Sequence, residues 1–189
     1  MSILEDHKDE QKEPLCWYAM SATFGRELKA RDYLEEHSVR CYIPMRYEMV
    51  RNRAGEKKRM LVPAVRNLLF VHARKSRIQE LKTNVNYLHY LVFPHEGRNT
   101  PIIVPDSQME HFISVCDTHD DSLVYLTADE VNLNEGTRVR IIGGSFDGVE
   151  GNFVKVSGKR NKCVVVRVQG VAAVMIAKVS NAYLQVVQE

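Results

Sequence analysis

From residue 135 onward, glycine recurs at short intervals between runs of β-branched residues. Glycines stand at 136, 143, 144, 148, 151, 158 and 170. Between them lie Val139-Arg140-Ile141-Ile142, Phe153-Val154-Lys155-Val156, Cys163-Val164-Val165-Val166-Arg167-Val168 and Ala173-Val174-Met175-Ile176. Runs of this length and composition read as strands, and glycine accepts the positive φ that tight turns between strands require. The pattern predicts a small all-β barrel over residues 135–189, large enough to fold alone on a thin core.

The preceding part has a different rhythm. Cys16-Trp17-Tyr18-Ala19-Met20-Ser21-Ala22 is short and rich in strand formers, and Gly25 breaks it. Leu28, Ala30, Tyr33 and Leu34 then recur at helical spacing, which predicts a helix over 26–37. Arg40 to Val50 reads as a strand, with Pro44 marking an edge or a bulge. A turn at Asn52–Glu56 leads to Met60-Leu61-Val62, ended by Pro63. The nearly continuous apolar run Asn67-Leu68-Leu69-Phe70-Val71-His72-Ala73 fits a central strand. Ser76 is the expected N-cap of a second helix whose apolar side holds Ile78, Leu81 and Val85. Tyr87 to Phe93 reads as a fourth strand closed by Pro94, and Pro105 opens a third helix through Met109, Phe112, Ile113 and Cys116.

Strand, helix, strands, helix, strand is the order of an α+β plait, an antiparallel sheet carrying its helices on one face. The expected organisation is a mobile tail over 1–14, the plait over 15–118, a linker over 119–134 and the β barrel over 135–189. A chain of 189 residues accommodates two such small domains.

Composition narrows the function classes. The hydrophobic fraction of 44% and charged fraction of 26% exclude a wholly disordered chain. No run of about 18 apolar residues is present, and residues 1–15 lack the basic start and apolar core of a signal peptide. The chain is therefore read as cytoplasmic, without a membrane partner. Cys16, Cys41, Cys116 and Cys163 form no CxxC pair, so zinc is not expected, and buried free thiols are. His72, His89, His95 and His111 fall in different elements, and Ser107, Cys116 and Asp117 lack a base partner by pattern. No convergent catalytic set is visible, so the chain is read as a non-enzyme without metal or cofactor.

The net charge of +2 conceals a strong asymmetry. Residues 45–77 carry ten basic and two acidic side chains, whereas residues 78–129 carry two basic and eight acidic. The basic block holds Arg51, Arg53, Lys57, Lys58 and Arg59 around Ala54-Gly55. Two readings stand: a phosphate-attracting surface and a solvated hairpin tip.

Gly143-Gly144-Ser145-Phe146-Asp147-Gly148-Val149-Glu150-Gly151 follows a strand but fits neither GxGxxG nor a P-loop. It resembles the KOW motif, G-x-F-x-G-x-x-G, with Gly144, Phe146, Gly148 and Gly151 in its places. Trp17-Tyr18, Gly25 before a helix, and Asn67-Leu68-Leu69-Phe70-Val71 resemble the N-terminal domain of NusG-type transcription factors. Together the resemblance spans about residues 16–187. Gly25-Arg26-Glu27-Leu28-Lys29-Ala30, Leu61-Val62-Pro63-Ala64-Val65, Val104-Pro105-Asp106, Gln108-Met109 and Gly170-Val171-Ala172-Ala173-Val174 are similar to the UpxY branch of specialised NusG paralogues.

That resemblance implies an antiterminator for surface (capsular) polysaccharide operons. It implies binding to the clamp helices of RNA polymerase through an apolar patch, at Tyr18, Val65, Leu68 and Phe70. It also implies contact with non-template DNA or leader RNA, at Arg26, Lys29 and Tyr33, extended by Arg74, Lys75 and Arg77. Each has a bland alternative: Phe70, Tyr18, Tyr33 and Phe146 as core, and the cations as solvated side chains. A small protein antagonist and a ribosomal-protein contact through the KOW domain are further implied partners. Val65-Arg66-Asn67-Leu68 lacks the aromatics usual in the family, and Val168-Gln169-Gly170-Val171 lacks the aromatic before glycine. Both departures favour specialisation over a first alternative, a general NusG-type elongation factor; the Trp17-Tyr18 plait domain argues against a second, a KOW-containing RNA- or ribosome-binding protein.

Overall fold

Strand propensity concentrates in Cys16–Ala22 (β1) and Leu68–Ala73 (β5), and these two strands form the centre of the first sheet. The computed structural model describes residues 13–51, 55–95, 97–127, 136–155, 162–168, 171–176 and 184–187. Residues 1–12 of the expected tail, 128–134 of the expected linker, and Gln169-Gly170 lie outside the described residues.

The chain divides into two compact units. One comprises residues 1–43 and 66–106, the other residues 44–65 and 107–189. In the first, β1 pairs antiparallel with β5 on one side, and β5 with Arg40–Tyr42 (β2). On its other side β1 pairs antiparallel with Leu88–Tyr90 (β6) and, further along, with Ile103–Val104 (β9). Glu27–Glu36 (α1) and Lys75–Thr83 (α2) supply Ala30, Leu34, Ile78 and Leu81 to the interior. Residues directly opposed across a sheet share a face. Tyr18, Met20, Val71, Leu69, Cys41 and Tyr90 therefore lie on one face, and Trp17, Ala19, Phe70, Leu68 and His72 on the other. Both helices cover the Tyr18 face: Lys82 of α2 places its Nζ 4.4 Å from the Tyr90 ring centroid, and Arg31 and Glu35 of α1 bear on the Cys41 thiol. The first unit is thus an α+β antiparallel sheet with its helices on one face, as the order of elements predicts.

In the second unit, Met45–Arg51 (β3) and Lys57–Pro63 (β4) pair, among the described residues, only with each other. Leu123–Thr127 (β10), Thr137–Ile141 (β11), Glu150–Lys155 (β12), Lys162–Val168 (β13), Ala172–Ile176 (β14) and Leu184–Val186 (β15) form one antiparallel sheet, ordered β10-β14-β13-β12-β11-β15. Val154, Cys163, Val165, Ala173 and Met175 build a core here, with Val124 and Leu126 packed against it.

Four local expectations change. The expected linker contains β10, because Leu123-Val124-Tyr125-Leu126 has apolar side chains that pair and pack against β14 and its neighbours. Pro94 does not close a strand. It lies within Val92–His95 (β7), paired with Arg98–Pro101 (β8) in a two-stranded ladder where a missing N–H is tolerated. Ser76 is not an N-cap: Arg74 occupies that position without a side-chain cap. Instead the Glu13 carboxylate accepts the Ser76 N–H at 2.9 Å, and hydrogen bonding from the Ser76 side chain first, then from its backbone, holds the carboxyl below its ordinary pKa. The tail's last described residues are therefore tied to the start of α2. The third helix, Asp106–Cys116 (α3), buries Met109, Phe112, Val115 and Cys116 as its periodicity requires.

Candidate nucleic-acid and protein-binding surfaces

The turn between β1 and α1 is built from unusual backbone. Phe24 and Gly25 both take positive φ, 63° and 65°. Asn67, just before β5, does the same at 63° and holds this turn: its Oδ1 accepts the Gly25 N–H at 2.9 Å. The Asn67 N–H in turn donates to the Glu27 carboxylate, which is 3% exposed. The Ala22 N–H donates to the Asn67 carbonyl and the Thr23 N–H to the Tyr87 carbonyl. A buried carboxylate is costly unless its acceptor capacity is used, and here it orders two loops.

This frame displays a cationic-aromatic edge. Phe24 is 81% exposed. The Arg26 guanidinium lies 5.6 Å from its ring centroid and 5.3 Å from that of Tyr87, and Lys29 Nζ lies 5.5 Å from Tyr87. Arg26 and Lys29 are themselves exposed, and beside them Lys29, Tyr33, Lys82, Asn84, Asn86 and Tyr87 line an open depression. Burial lowers the pKa of Lys82 and raises that of Tyr87.

The six cations and aromatics expected to bind nucleic acid do not form one patch. Tyr33 is half-buried, and its hydroxyl donates to the Leu81 carbonyl at the end of α2. Arg77, near the start of α2, donates to the His37 carbonyl just beyond α1. The two helices therefore run antiparallel. Arg26 and Lys29 lie at one end of the helix layer, and Arg74, Lys75 and Arg77 at the other, about 15 Å away for ten residues of helix. Arg77 is also paired with Glu80 at 2.5 Å, and Arg74 donates to the Glu13 carbonyl. Arg26 combines exposure with a neighbouring exposed ring, Phe24, whereas exposed Lys29 lies over Tyr87, which is buried.

The expected apolar patch is also different in the structure. Phe70 is 0% exposed, Tyr18 and Leu68 4% each, and Val65 9%. β1 and β5 are central strands buried on both faces, so these side chains belong to the interior and are not exposed anchors. Tyr18 moreover lies on the helix-covered face, opposite to Leu68 and Phe70, because a one-residue step along a strand changes the face. Trp17, to which sequence reasoning gives a strand position and no role, shares the face of Leu68 and Phe70. Its ring stacks on His72 at 4.8 Å, under the Arg40 guanidinium at 5.0 Å. His72 Nε2 is 4.0 Å from Asp106 Oδ1, yet burial outweighs that carboxylate and lowers the His72 pKa.

In the glycine-rich segment, the Gly143 N–H bonds Asp147 Oδ1, and Gly148, at φ 78°, returns its N–H to the Ile141 carbonyl at 2.8 Å. At Gly151 an added Cβ would stand 2.7 Å from the Val165 carbonyl oxygen, so β12 and β13 approach there only because no side chain intervenes. Phe146 is half-buried and not core; Val149 fills the interior beside it. Glu150 links Arg138 at 3.0 Å and Arg140 at 2.6 Å, and these bonds, the Arg140 bond first, hold its carboxyl below the ordinary range.

An antiparallel sheet with helices on one face, followed in sequence by a separate antiparallel sheet, defines the class: a two-unit α+β protein. The family model described as transcription termination factor nusG matches residues 15–113, more than half of the chain. The chain belongs to the NusG family of transcription factors. Two solved structures are similar to it. "Domain interaction in Thermotoga maritima NusG" is 18% identical, covering 93% of this chain and 98% of that one, with a TM-score of 0.45. "Crystal Structure of MjSpt4:Spt5 complex conformation B" is 14% identical, covering 92% and 97%, with a TM-score of 0.29. No curated relative matches the sequence. Among the described residues, no helix is long and apolar enough to cross a membrane, and no group of three or more His, Cys, Asp and Glu is placed to hold a metal.

Proposed function

We propose that this NusG-family chain is a specialised antiterminator of the UpxY type, acting on surface polysaccharide operons. In this reading the unit built on β1 and β5 docks on the clamp helices of RNA polymerase. Arg26, with the exposed Phe24 ring beside it, and Lys29 contact nucleic acid exposed during transcription. The observation that carries the reading is the Asn67–Glu27 frame, which holds the turn where exposed Phe24 lies beside Arg26, with Lys29 over Tyr87 at the start of α1. Such a pairing of charge and ring suits phosphate contact with base stacking. The segment around Gly144, Phe146, Gly148 and Gly151 is read as a KOW domain that recruits a further protein. The Val65-Arg66-Asn67-Leu68 sequence supports specialisation, since Val65 and Leu68 stand where aromatics are usual in the family.

Transcription in vitro through a terminator, with polymerase of the source organism, tests the proposal. Readthrough on the native leader and not on a scrambled leader is expected, with loss in Arg26→Ala/Lys29→Ala. Equal readthrough on both templates would instead identify a general elongation factor. RNA binding with no effect on polymerase would identify an RNA-binding protein.

A further inference from the structure

The open depression between α1 and the turn that follows α2 has a volume of about 660 Å³. Lys29, Asp32 and Glu36 line it from α1, and steps of three and four residues place them along one helix face. Lys82 in the last turn of α2, then Asn84 and Asn86 in the connection to β6, line its other side. Neither ammonium is answered by a carboxylate. Lys29 Nζ lies over the Tyr87 ring at 5.5 Å and Lys82 Nζ over the Tyr90 ring at 4.4 Å, and among the described residues neither enters an ion pair. Asp32 is taken by Arg31 at 2.9 Å. Glu36 is exposed, and it too has no ion pair among the described residues.

Two cations and an acid that line one hollow without neutralising each other contribute little to stability. Lys82 is partly withdrawn from water, where an unanswered charge is costly. A diphosphate carries enough charge to answer both ammoniums, whereas a single carboxylate does not. Glu36 repels an anion at its own position and accepts hydroxyl donors instead, and the Asn84 and Asn86 amides both donate and accept. The volume falls in the range of pockets that take ligands well above orthophosphate in size. The stacked base of a single strand is disfavoured. The Tyr87 ring is buried beneath Arg26 and Lys29, and the Tyr33 hydroxyl is committed to the Leu81 carbonyl.

We propose that this depression binds a nucleoside diphosphate sugar, with Lys29 and Lys82 on the diphosphate and Glu36, Asn84 and Asn86 on the hydroxyls of the glycosyl group. Compounds of this class are the activated donors of glycosyl transfer. The choice of a sugar rests on the antitermination reading above, because polysaccharide synthesis consumes such donors; the charges and the volume do not depend on it. Lys29 is shared with the nucleic-acid edge, which places the ligand where it acts on that contact.

Titration of the full chain with UDP-glucose and with GDP-mannose, by calorimetry and ligand-observed NMR, tests the site without polymerase or nucleic acid. Failure here and failure of the readthrough assay are therefore told apart. Both probes are expected to bind, and UDP and GDP, which lack the glycosyl hydroxyls, to bind about 10-fold more weakly. Lys82→Gln keeps most of the stem and removes the charge, so it is expected to weaken sugar nucleotides and free diphosphates alike by about 10-fold. Glu36→Gln, at an exposed position, is expected to weaken UDP-glucose by about 3- to 10-fold and to leave UDP as tight as before or tighter, a selective loss that a disturbed fold does not give. Arg98→Gln, exposed in β8 and outside the depression, is expected to bind both probes as the wild type does. Three results would each overturn the proposal: no binding of either sugar nucleotide up to about 5 mM, UDP bound as tightly as UDP-glucose, or wild-type affinity in both Lys82→Gln and Glu36→Gln.

Discussion

Replacing Asn67 should loosen the turn that carries Phe24 and Arg26, by an amount that two variants can divide. Asn67 sits at φ 63°, where a residue with an ordinary Cβ is strained by about 1–2 kcal/mol and asparagine is better tolerated. Its side chain also accepts the Gly25 N–H at 2.9 Å, a partly exposed bond contributing about 0.5–1.5 kcal/mol. Asn67→Ala loses both, so about 2 kcal/mol is expected. Asn67→Gly keeps the backbone conformation accessible and loses only the bond, so about 1 kcal/mol is expected. The chain has a single tryptophan, Trp17, and it lies in β1 of the same unit. Urea unfolding followed by its fluorescence therefore reads the relevant unit directly. With an m-value of about 2 kcal/mol/M, the alanine midpoint should fall by roughly 1 M and the glycine midpoint by about half that. A glycine variant no more stable than alanine would refute the backbone argument. A shift below about 0.3 M in both would refute the claim that Asn67 holds the turn.

Phe70→Ala should destabilise the first unit by about 3–5 kcal/mol, because its ring is wholly buried; a loss below about 1 kcal/mol by the same fluorescence assay would return it to the surface. Gly151→Ala should cost about 1–3 kcal/mol in thermal unfolding of the second unit, since the new methyl meets the Val165 backbone; an unchanged melting temperature would contradict the close approach. Glu150 has a folded pKa below its ordinary value, so its contribution is present above the ordinary carboxylate range and is lost as pH falls through the folded pKa. Wild type should therefore exceed Glu150→Gln in melting temperature at pH 7, with the gap closing below about pH 4.5; a gap constant down to about pH 3 would exclude the ion pairs as its source.

Much of the architecture is legible in the sequence because it rests on period and propensity. The apolar rows of α1, α2 and α3 and the valine run of β13 each bury what their spacing says they should. The site is less legible. Tyr18 and Trp17 differ by one position, and only the β1–β5 register decides which of them shares a face with Phe70. Arg77 and Arg26 look alike in sequence, but antiparallel helices carry them to opposite ends. Phe24 escapes sequence reasoning because a phenylalanine beside a strand is usually core. Its neighbour Gly25 is the available signal, marking a turn whose positive φ throws the preceding ring outward. Glu27 and Asn67 form their bond across 40 positions, which no local pattern encodes.

The pairing of β10 with β14 has a consequence during synthesis. Leu123–Thr127 leaves the ribosome about 45 residues before Ala172–Ile176, its strand neighbour among the described residues. At about 5–20 residues per second, that apolar edge waits roughly 2–9 s for its complement. During those seconds Leu123, Val124 and Leu126 have no strand to cover them, and nascent chains on neighbouring ribosomes present the same edge. Production of this protein should therefore be sensitive to translation speed between codons 127 and 172, with slow passage there favouring aggregates of the nascent chain over the finished sheet.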